Sequence, residues 1–487
     1  MSLPEILKVR TLPTIENMEI KTEVLDPITS SNQECIFQIP KNGMLDGGSF
    51  VSLAVRCSAA ASAAGNAFFP LQTGIHSLVQ SAYLMVGSKV VASTEDYGHY
   101  TTMIRQFDSP EHRANVDMVK SGASMDRFNS VDATTGRLMP KDLVYGTFAA
   151  DNTARATVPL MSKPTDSDAT TPVFSVPLSS LIPMMRTRKL PLYAMKENVF
   201  LRLVFKQQAN VAGDVGNICC MTNGHGVDSS IVPSLVNIKF YSDHLYFKDG
   251  SMDRLQSQIF SEQGLSYIYE DSVLTNTQLP QTADPTTPAI QEQRIERDIA
   301  VSGKTVRSIL IQQKDTGKQH SLLGLYHSES DLTDAEYNYR INEQRYYDRD
   351  IVNPAHKYNE LRKVLGKPLA VPSLMYSLEP DTLKSARDHT LNQNSMYIGQ
   401  IEAHQLPDGA NTDRANDIRG LSHYTGVDLT TTGFNVLGNG KRVGVKPITY
   451  QALYKRTAGK RAARTLRFFS NVERVITIKN GDVVVSA

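Results

Sequence analysis

The sequence is poor in the features that mark secreted and membrane proteins. Only four cysteines occur in 487 residues, and Cys219 and Cys220 are adjacent, which excludes a disulfide framework and favours folding in a reducing compartment. The most apolar stretch, residues 52–71, is interrupted by Arg56 and Asn66, which makes it a poor membrane span. The opening MSLPEILKVR has no apolar segment after a basic head, so we expect no signal peptide.

A strong net charge is also missing. The formal net charge is +1, from 51 Lys and Arg against 50 Asp and Glu, so no global field would attract nucleic acid or an acidic membrane. A genome-binding N-terminal arm would be strongly basic, whereas this segment mixes both signs: Glu5, Glu16, Glu19 and Glu23 with Lys8, Arg10 and Lys21. We therefore expect no direct contact with nucleic acid.

Catalytic motifs are absent as well. The sequence contains no H-E-x-x-H, C-x-x-C or G-x-S-x-G. Gly303–Thr305 resembles the end of a phosphate-binding P-loop, but Asp298 stands where that motif requires glycine. Gly438–Gly444 lacks the dinucleotide-binding spacing. We predict no catalytic residues, no cofactor-binding residues, no metal ligands and no small-molecule substrate, and hence not an enzyme.

One basic cluster exists near the C-terminus, and it could track a phosphate backbone. Its six members are Lys455, Arg456, Lys460, Arg461, Arg464 and Arg467. Aromatic residues that could stack bases are not interleaved with them, because Phe468 and Phe469 lie together at one end. A solvated loop, or a patch that pairs with acidic neighbours, is the favoured interpretation.

The dominant positive signal is period-two alternation, which predicts half-buried β-strands. In VNIKFYSDHLYF, Val236, Ile238 and Phe240 would face a core, opposite Asn237, Lys239 and Tyr241. AEYNYRIN sets Tyr337, Tyr339 and Ile341 opposite Glu336, Asn338, Arg340 and Asn342, and NVFLRLVFK aligns Val199, Leu201, Leu203 and Phe205.

Turn and helix signals are fewer. Asn480-Gly481 predicts a type I′ hairpin, and Gly87-Ser88 predicts a type II′ hairpin. SMDRLQSQIF predicts a short helix with Met252, Leu255 and Ile259 on one face and Ser251 as N-cap, and a second short helix is expected over Asn359–Leu365. Many strands with few helices indicate an all-β protein.

A strand block with a long loop occurs in each half of the chain, which predicts two similar β domains in series. The loops are Asp108–Pro172 and Gln405–Gly444, and Thr275–Ile290 has the composition of a linker. The predicted division is an N-terminal arm (1–25), a first β domain (26–250), a connecting helix and linker (251–290) and a second β domain (291–487).

The order of these segments resembles the double jelly-roll major capsid proteins of nucleocytoplasmic large DNA viruses, virophages and polinton-like viruses, in the hexon-like lineage. IFQIPKNGMLDGGSFVSLAV resembles their first strand pair, and Leu190-Pro191-Leu192 resembles a step before a long inner strand. VNIKFYSDHLYFKDGSMDRLQSQIF resembles the strand and helix that close the first jelly roll. FFSNVERVITIKNGDVVVSA resembles the terminal hairpin.

The resemblance implies two tandem eight-stranded jelly-roll sandwiches, with three chains in a pseudo-hexagonal capsomer that tiles an icosahedral virus shell. Expected partners are the chain itself, penton proteins and minor capsid proteins, and the expected location is the virion, after assembly inside the host cell. The long loops would interlock between subunits and bury Val144, Tyr145, Phe148 and Phe434. The arm, with Pro4, Pro13 and Pro27, would lie under the shell or clasp a neighbour.

Two other interpretations stay open from the residues alone. A carbohydrate- or receptor-binding viral β-sandwich could use the tyrosines Tyr337, Tyr339, Tyr346 and Tyr347, although the chain has no tryptophan. A two-domain cupin metalloenzyme would need two histidines one residue apart. The eleven histidines, which include His76, His99, His244, His356 and His404, contain no such pair.

Overall fold

A computed structural model gives the structure of the chain. It describes residues 18–57, 67–68, 73–105, 116, 118–122, 128–131, 138–140, 173–206, 221–222, 233–248, 250–280, 291–315, 335–352, 354–365, 425–431, 437–456 and 463–486. Among these residues, none of the helices combines the length and apolar character that crossing a membrane requires. The loop residues Val144, Tyr145, Phe148 and Phe434, and the cysteines Cys219 and Cys220, lie outside the described residues.

The first half of the described chain is built of strands. They are β1 (Met18–Leu25), β2 (Thr29–Ser30), β3 (Glu34–Ile39), β4 (Met44–Leu45), β5 (Phe50–Cys57), β6 (Ala67–Phe68), β7 (Val79–Val86), β8 (Lys89–Glu95), β9 (Phe128–Val131), β10 (Leu138–Pro140), β11 (Val173–Pro177), β12 (Leu190–Pro191), β13 (Val199–Phe205), β14 (Met221–Thr222) and β15 (Pro233–Phe247).

The second half repeats this character. Its strands are β16 (Leu265–Leu279), β17 (Gln291–Ile299), β18 (Thr305–Asp315), β19 (Ala335–Ile341), β20 (Gln344–Arg345), β21 (Thr425–Asp428), β22 (Lys441–Arg442), β23 (Ile448–Arg456), β24 (Arg464–Lys479) and β25 (Asp482–Ser486).

The described helices are short and lie between the strands. They are α1 (Tyr97–Arg105), α2 (Met118–Ser121), α3 (Leu178–Leu181), α4 (Met184–Thr187), α5 (Ser251–Ile259) and α6 (Pro354–Leu365), with 3-10 turns at Gly74–Ser77 and Leu192–Ala194. The structure therefore confirms the all-β prediction.

The strands form two sandwiches with the same layout. In the first, one sheet runs β11-β5-β15-β4-β12 with β1 paired to β15, and the facing sheet runs β2-β3-β13-β7-β8. In the second, one sheet runs β16-β24-β18-β21 with β22 and β25 attached, and the facing sheet runs β17-β23-β19-β20. In each sandwich the first strand pairs with the last, as in a jelly roll.

Each sandwich encloses apolar side chains from the inner faces of its two sheets, as aligned sheet packing requires. In the first, Phe37, Val51, Leu201 and Phe240 belong to one buried cluster. In the second, Ile309, Tyr339, Tyr450 and Phe468 belong to another. Fully burying one such side chain is worth roughly 1.5–3 kcal/mol, so each sandwich has a substantial core of its own.

Most local predictions are confirmed. The alternation of NVFLRLVFK matches β13, whose odd-numbered residues from Val199 to Phe205 are buried. Asn480 and Gly481 have φ angles of 53° and 81°, and Gly87 has 59°, as the two predicted hairpins require. Met252, Leu255 and Ile259 are the inward residues of α5, and Asn359–Leu365 forms the end of α6.

Two local predictions are wrong. Val236 does not face the core with Ile238 and Phe240, because the register of β15 against β5 shifts between Leu235 and Asn237 and leaves Val236 as the extra residue of a β-bulge, 36% exposed. Ser251 is the first residue of α5 and not its N-cap. The cap is Gly250, whose φ of 75° is in the left-handed region that glycine adopts without steric cost.

The structure also differs from the predicted segment boundaries at two places. Residues 18–25, predicted as part of the arm, form β1, the first strand of the first sandwich. Residues 265–279, predicted within the connecting segment, form β16, which pairs with β24 along its whole length. In both cases the pairing partner is a strand more than 200 residues away, so local composition alone gives a weak signal.

Candidate functional site: the joint between the two sandwiches

The first and second sandwiches meet in an extensive contact, which we call the joint: β16 and the β24–β25 turn against β8, α1 and residues 188–196. The free edge of β8 binds side chains of β16 directly. The Tyr269 hydroxyl donates to the carbonyl of Val91 at 2.5 Å, and the Ser93 N–H donates to Oδ1 of Asp271 at 3.0 Å. An edge strand that would otherwise expose its backbone groups is thereby covered.

Residues 188–196 form the second part of the joint. Arg188 Nε donates to the carbonyl of Ile268 at 2.8 Å, and the Tyr267 hydroxyl donates to the carbonyl of Lys189 at 3.3 Å. The β24–β25 turn joins them, because the Lys196 N–H donates to the carbonyl of Gly481 at 3.0 Å. The two sandwiches therefore share backbone hydrogen bonds and not only side-chain packing.

Apolar packing is also continuous across the joint. Tyr269, Ile476, Ile478 and Val483 of the second half belong to the same buried cluster as the core of the first sandwich. Burying three or four such side chains is worth several kcal/mol at roughly 1.5–3 kcal/mol each. The two halves thus form a single folded unit.

Helix α1 makes a third contact, against the outer face of the second sandwich. Tyr100 and Met103 pack with Leu310 and Phe469 in a buried cluster, and the rings of Tyr100 and Phe469 are 5.6 Å apart. The Tyr100 hydroxyl donates to Oδ1 of Asn471 at 3.1 Å. This bond satisfies a hydroxyl that would be costly to bury alone.

Next to α1 lies a buried charged group centred on Asp96. Its carboxylate is 2.9 Å from Nε of Arg467 in the second sandwich, 2.7 Å from Nδ1 of His99 and 3.5 Å from Nζ of Lys206. Burial would raise the pKa of Asp96, but these neighbours hold it well below its usual value. Burial lowers the pKa of His99 to about 3 against the attraction of Asp96, so His99 is neutral at pH 7 and Lys206 and Arg467 supply the balancing charge.

A second charged group lies on β16 and β24. Arg307 is 2.5 Å from Glu270 and 3.4 Å from Glu473, and Asp271 is 3.2 Å from Nε of Arg474. Burial raises the pKa of Asp271 to about 6, although Arg474 and two backbone N–H groups oppose the shift. These groups form a paired electrostatic network at the joint and not a reactive centre.

The residues that the sequence singled out are distributed elsewhere. Of the basic cluster, Arg467 pairs with Asp96 and Arg464 donates to Gln313 at 3.5 Å, whereas the side chains of Lys455, Arg456, Lys460 and Arg461 lie outside the described residues. Pairing with an acidic neighbour, one of the favoured interpretations, is thus confirmed for Arg467.

The aromatic and histidine residues have structural surroundings. Tyr337 and Tyr339 are buried in the second core, not displayed for a sugar. His76 accepts or donates a bond with Tyr97 at 2.9 Å, and His244 with the carbonyl of Asn42 at 2.7 Å. Within the described residues, no three His, Cys, Asp or Glu side chains group as metal ligands would. His404 lies outside that part of the chain.

Sequence reasoning missed the residues that build the joint, foremost Asp96, Tyr269 and Asp271. The one available signal was the LSYIYED segment, Leu265–Asp271, where tyrosines alternate with polar residues in the manner of a strand. The partners of Asp96 could not be inferred, because Lys206 and Arg467 are distant in sequence.

Comparison with known proteins agrees with this architecture. Residues 8–248 match the family model described as the major capsid protein N-terminus. The fold resembles the PBCV-1 virus capsid protein, at 12% identity over 99% of both chains with a TM-score of 0.54. It also resembles the Faustovirus major capsid protein, at 9% identity over 98% of this chain and 94% of that one, with a TM-score of 0.50. No curated protein sequence matches.

Proposed function

Because residues 8–248 belong to the major capsid protein family and the whole chain has the double jelly-roll fold of viral capsid proteins, the chain is a structural capsid protein of a virion, and we propose that three copies form one pseudo-hexagonal capsomer. The predictions of a double jelly-roll capsid protein and of a non-enzyme are confirmed.

The observation that carries the trimer proposal is the repeated layout held by the joint. Two sandwiches with the same strand order lie side by side in one chain, so three chains supply six similar sides. Closed cyclic symmetry is the usual way in which identical chains assemble. Such capsomers would then tile an icosahedral shell, with penton and minor capsid proteins at positions that a hexagonal unit cannot fill.

Further parts of the proposal concern the segments around the sandwiches. We propose that residues before β1 form the arm, that the loops within 108–172 and 405–444 interlock subunits, and that assembly takes place inside the host cell. Direct contact with nucleic acid is not part of the proposal, since the net charge is near zero and Arg467 is paired within the chain.

Light scattering of the purified protein during size-exclusion chromatography tests the trimer. We expect a mass three times that of one chain at micromolar concentration, since obligate interfaces of capsid subunits are large. A stable monomer under the same conditions would contradict the proposal.

A further inference from the structure

The internal repeat makes one surface of the first sandwich stand out, and the inference drawn from it rests on the proposed trimer. In the second sandwich, the face of β16 that covers the core with Val273 also carries Tyr267, Tyr269 and Asp271, which bind the first sandwich. The corresponding strand in the first sandwich is β1, since each of these strands pairs antiparallel with the last strand of its own sandwich.

On β1 the same face is uncovered. Leu25 packs against the first core, so the period of two places Glu19, Lys21 and Glu23 on that face as well. The side chains of Glu19 and Lys21 are 38% and 58% exposed. Nζ of Lys21 lies 5.2 Å from the ring of Tyr246, and Glu23 accepts a bond from Asn42 at 3.3 Å. The face that is buried in the second sandwich is open in the first.

The elements that cover β16 also have counterparts in the second sandwich. β8 follows a tight turn at Gly87, and β20 likewise follows a tight turn, at Asn342–Glu343, where both residues have positive φ. Residues 188–196 precede β13, and residues 441–447 precede β23 in the same way. We call β20 together with residues 441–447 the β20 edge.

The β20 edge is exposed and mainly basic. Arg345 is 50% exposed and pairs with Asp350, and Lys446 is 66% exposed and pairs with Glu343. Arg442 is exposed and makes no ion pair with any residue in the described part of the chain. Val445 beside it is 95% exposed. Glu19 and Glu23 on β1 have the charge that complements this edge.

We infer that the Glu19–Glu23 face of β1 in one copy docks against the β20 edge of a second copy, so that the contact between copies repeats the joint within the chain. Three joints within chains and three contacts between chains then close a ring of six sandwiches. The contact between copies is charged where the joint is apolar, so it is the weaker of the two and is sensitive to salt, which screens exposed charges within about 8–10 Å.

Charge reversal with rescue tests this contact. The variants are Glu19→Lys with Glu23→Lys, Arg442→Glu with Lys446→Glu, and all four changes together. Light scattering across a dilution series measures the trimer of each. We expect either double variant to weaken the trimer at least tenfold, and the fourfold variant to return to within about threefold of the unmodified protein. Glu262→Lys with Glu296→Lys makes the same change in net charge at exposed positions away from both surfaces and is the control.

The outcomes separate this inference from the proposed function. If the unmodified protein is a monomer, the trimer proposal fails. If it is a trimer and the double variants keep its stability, or if each weakens it without rescue in the fourfold variant, the docking of β1 on the β20 edge is overturned while the trimer stands. Equal weakening by the control pair would likewise overturn it, since the effect would then come from net charge.

Discussion

Asp96 joins the two sandwiches through charge, because its carboxylate accepts from Arg467 of the second and from His99 and Lys206 of the first. Asp96→Asn would leave Lys206, whose side chain is 2% exposed, and Arg467 with uncompensated charge. Breaking a buried pair on one side costs about 3–5 kcal/mol. We expect a loss of that size in the free energy of unfolding, measured by urea denaturation.

Asp26→Asn is the matched control for this change. The Asp26 side chain is 81% exposed and lies 4.0 Å from Lys239, and exposed pairs contribute about 0–1 kcal/mol. Equal losses for the two variants would mean that the Asp96 group does not hold the joint.

The pH dependence of stability is a second test at the scale of single residues. Burial lowers the pKa of His99 to about 3 from an ordinary 6.5, so the unfolded chain takes up a proton as the pH falls through 6.5 while the folded chain does not. The stability that neutral His99 contributes is therefore lost as the pH falls below 6.5. Asp271, whose pKa burial raises to about 6, acts in the opposite direction, because its contribution is lost as the pH rises through 6.

His99→Gln isolates the histidine contribution. We expect the melting temperature of this variant to fall less between pH 7 and pH 5 than that of the unmodified protein, whatever its absolute value at pH 7. Differential scanning calorimetry at both pH values measures the difference. Parallel curves for the two proteins would show that His99 does not titrate between the folded and unfolded states.

At the scale of elements, the β24–β25 turn is both a hairpin and a docking contact. Gly481 has a φ of 81°, and a Cβ there would lie 3.0 Å from the carbonyl oxygen of Ala194. Gly303 also has a positive φ, 73°, but nothing lies within 4 Å of its Cβ position. Both glycine-to-alanine changes cost roughly 1–2 kcal/mol for the left-handed backbone. We expect Gly481→Ala to lower thermal stability further than Gly303→Ala, and equal shifts in melting temperature would refute the docking role.

The first strand gives another prediction at this scale. Residues 18–25 pair with β15, so deletion of residues 1–25 removes an element of the first sandwich and exposes the edge of a long strand. We expect that deletion to lower the melting temperature and promote aggregation. Deletion of residues 1–17 should keep the fold and, if the arm acts under the shell, weaken shells more than trimers. Indistinguishable melting curves for the two deletions would argue against β1 as a structural strand.

Elements with local signals were predictable from sequence, and those fixed by distant partners were not. The Asn480-Gly481 and Gly87-Ser88 turns follow from residue chemistry alone. β1 was missed because charged residues occupy the alternate positions of MEIKTEVL and read as an arm. The bulge at Val236 depends on the neighbouring strand β5, which no pattern within β15 reveals.

At the scale of the molecule, the sequence predicted two sandwiches and an assembly role, but not how the sandwiches meet. The joint depends on Tyr269, Asp271 and Asp96, each of which binds a residue from the other half of the chain. A buried ion pair across such a distance has no sequence signature. The joint sets the angle between two similar sandwiches, and that angle determines whether three chains can close a ring.

Negative-stain electron microscopy of the purified protein tests that central claim most directly. Two-dimensional averages should show particles of uniform size with a nearly hexagonal outline and three-fold symmetry, because each chain contributes two of six similar sides. Averages that show single two-lobed particles, or rings with a number of lobes other than six, would contradict it.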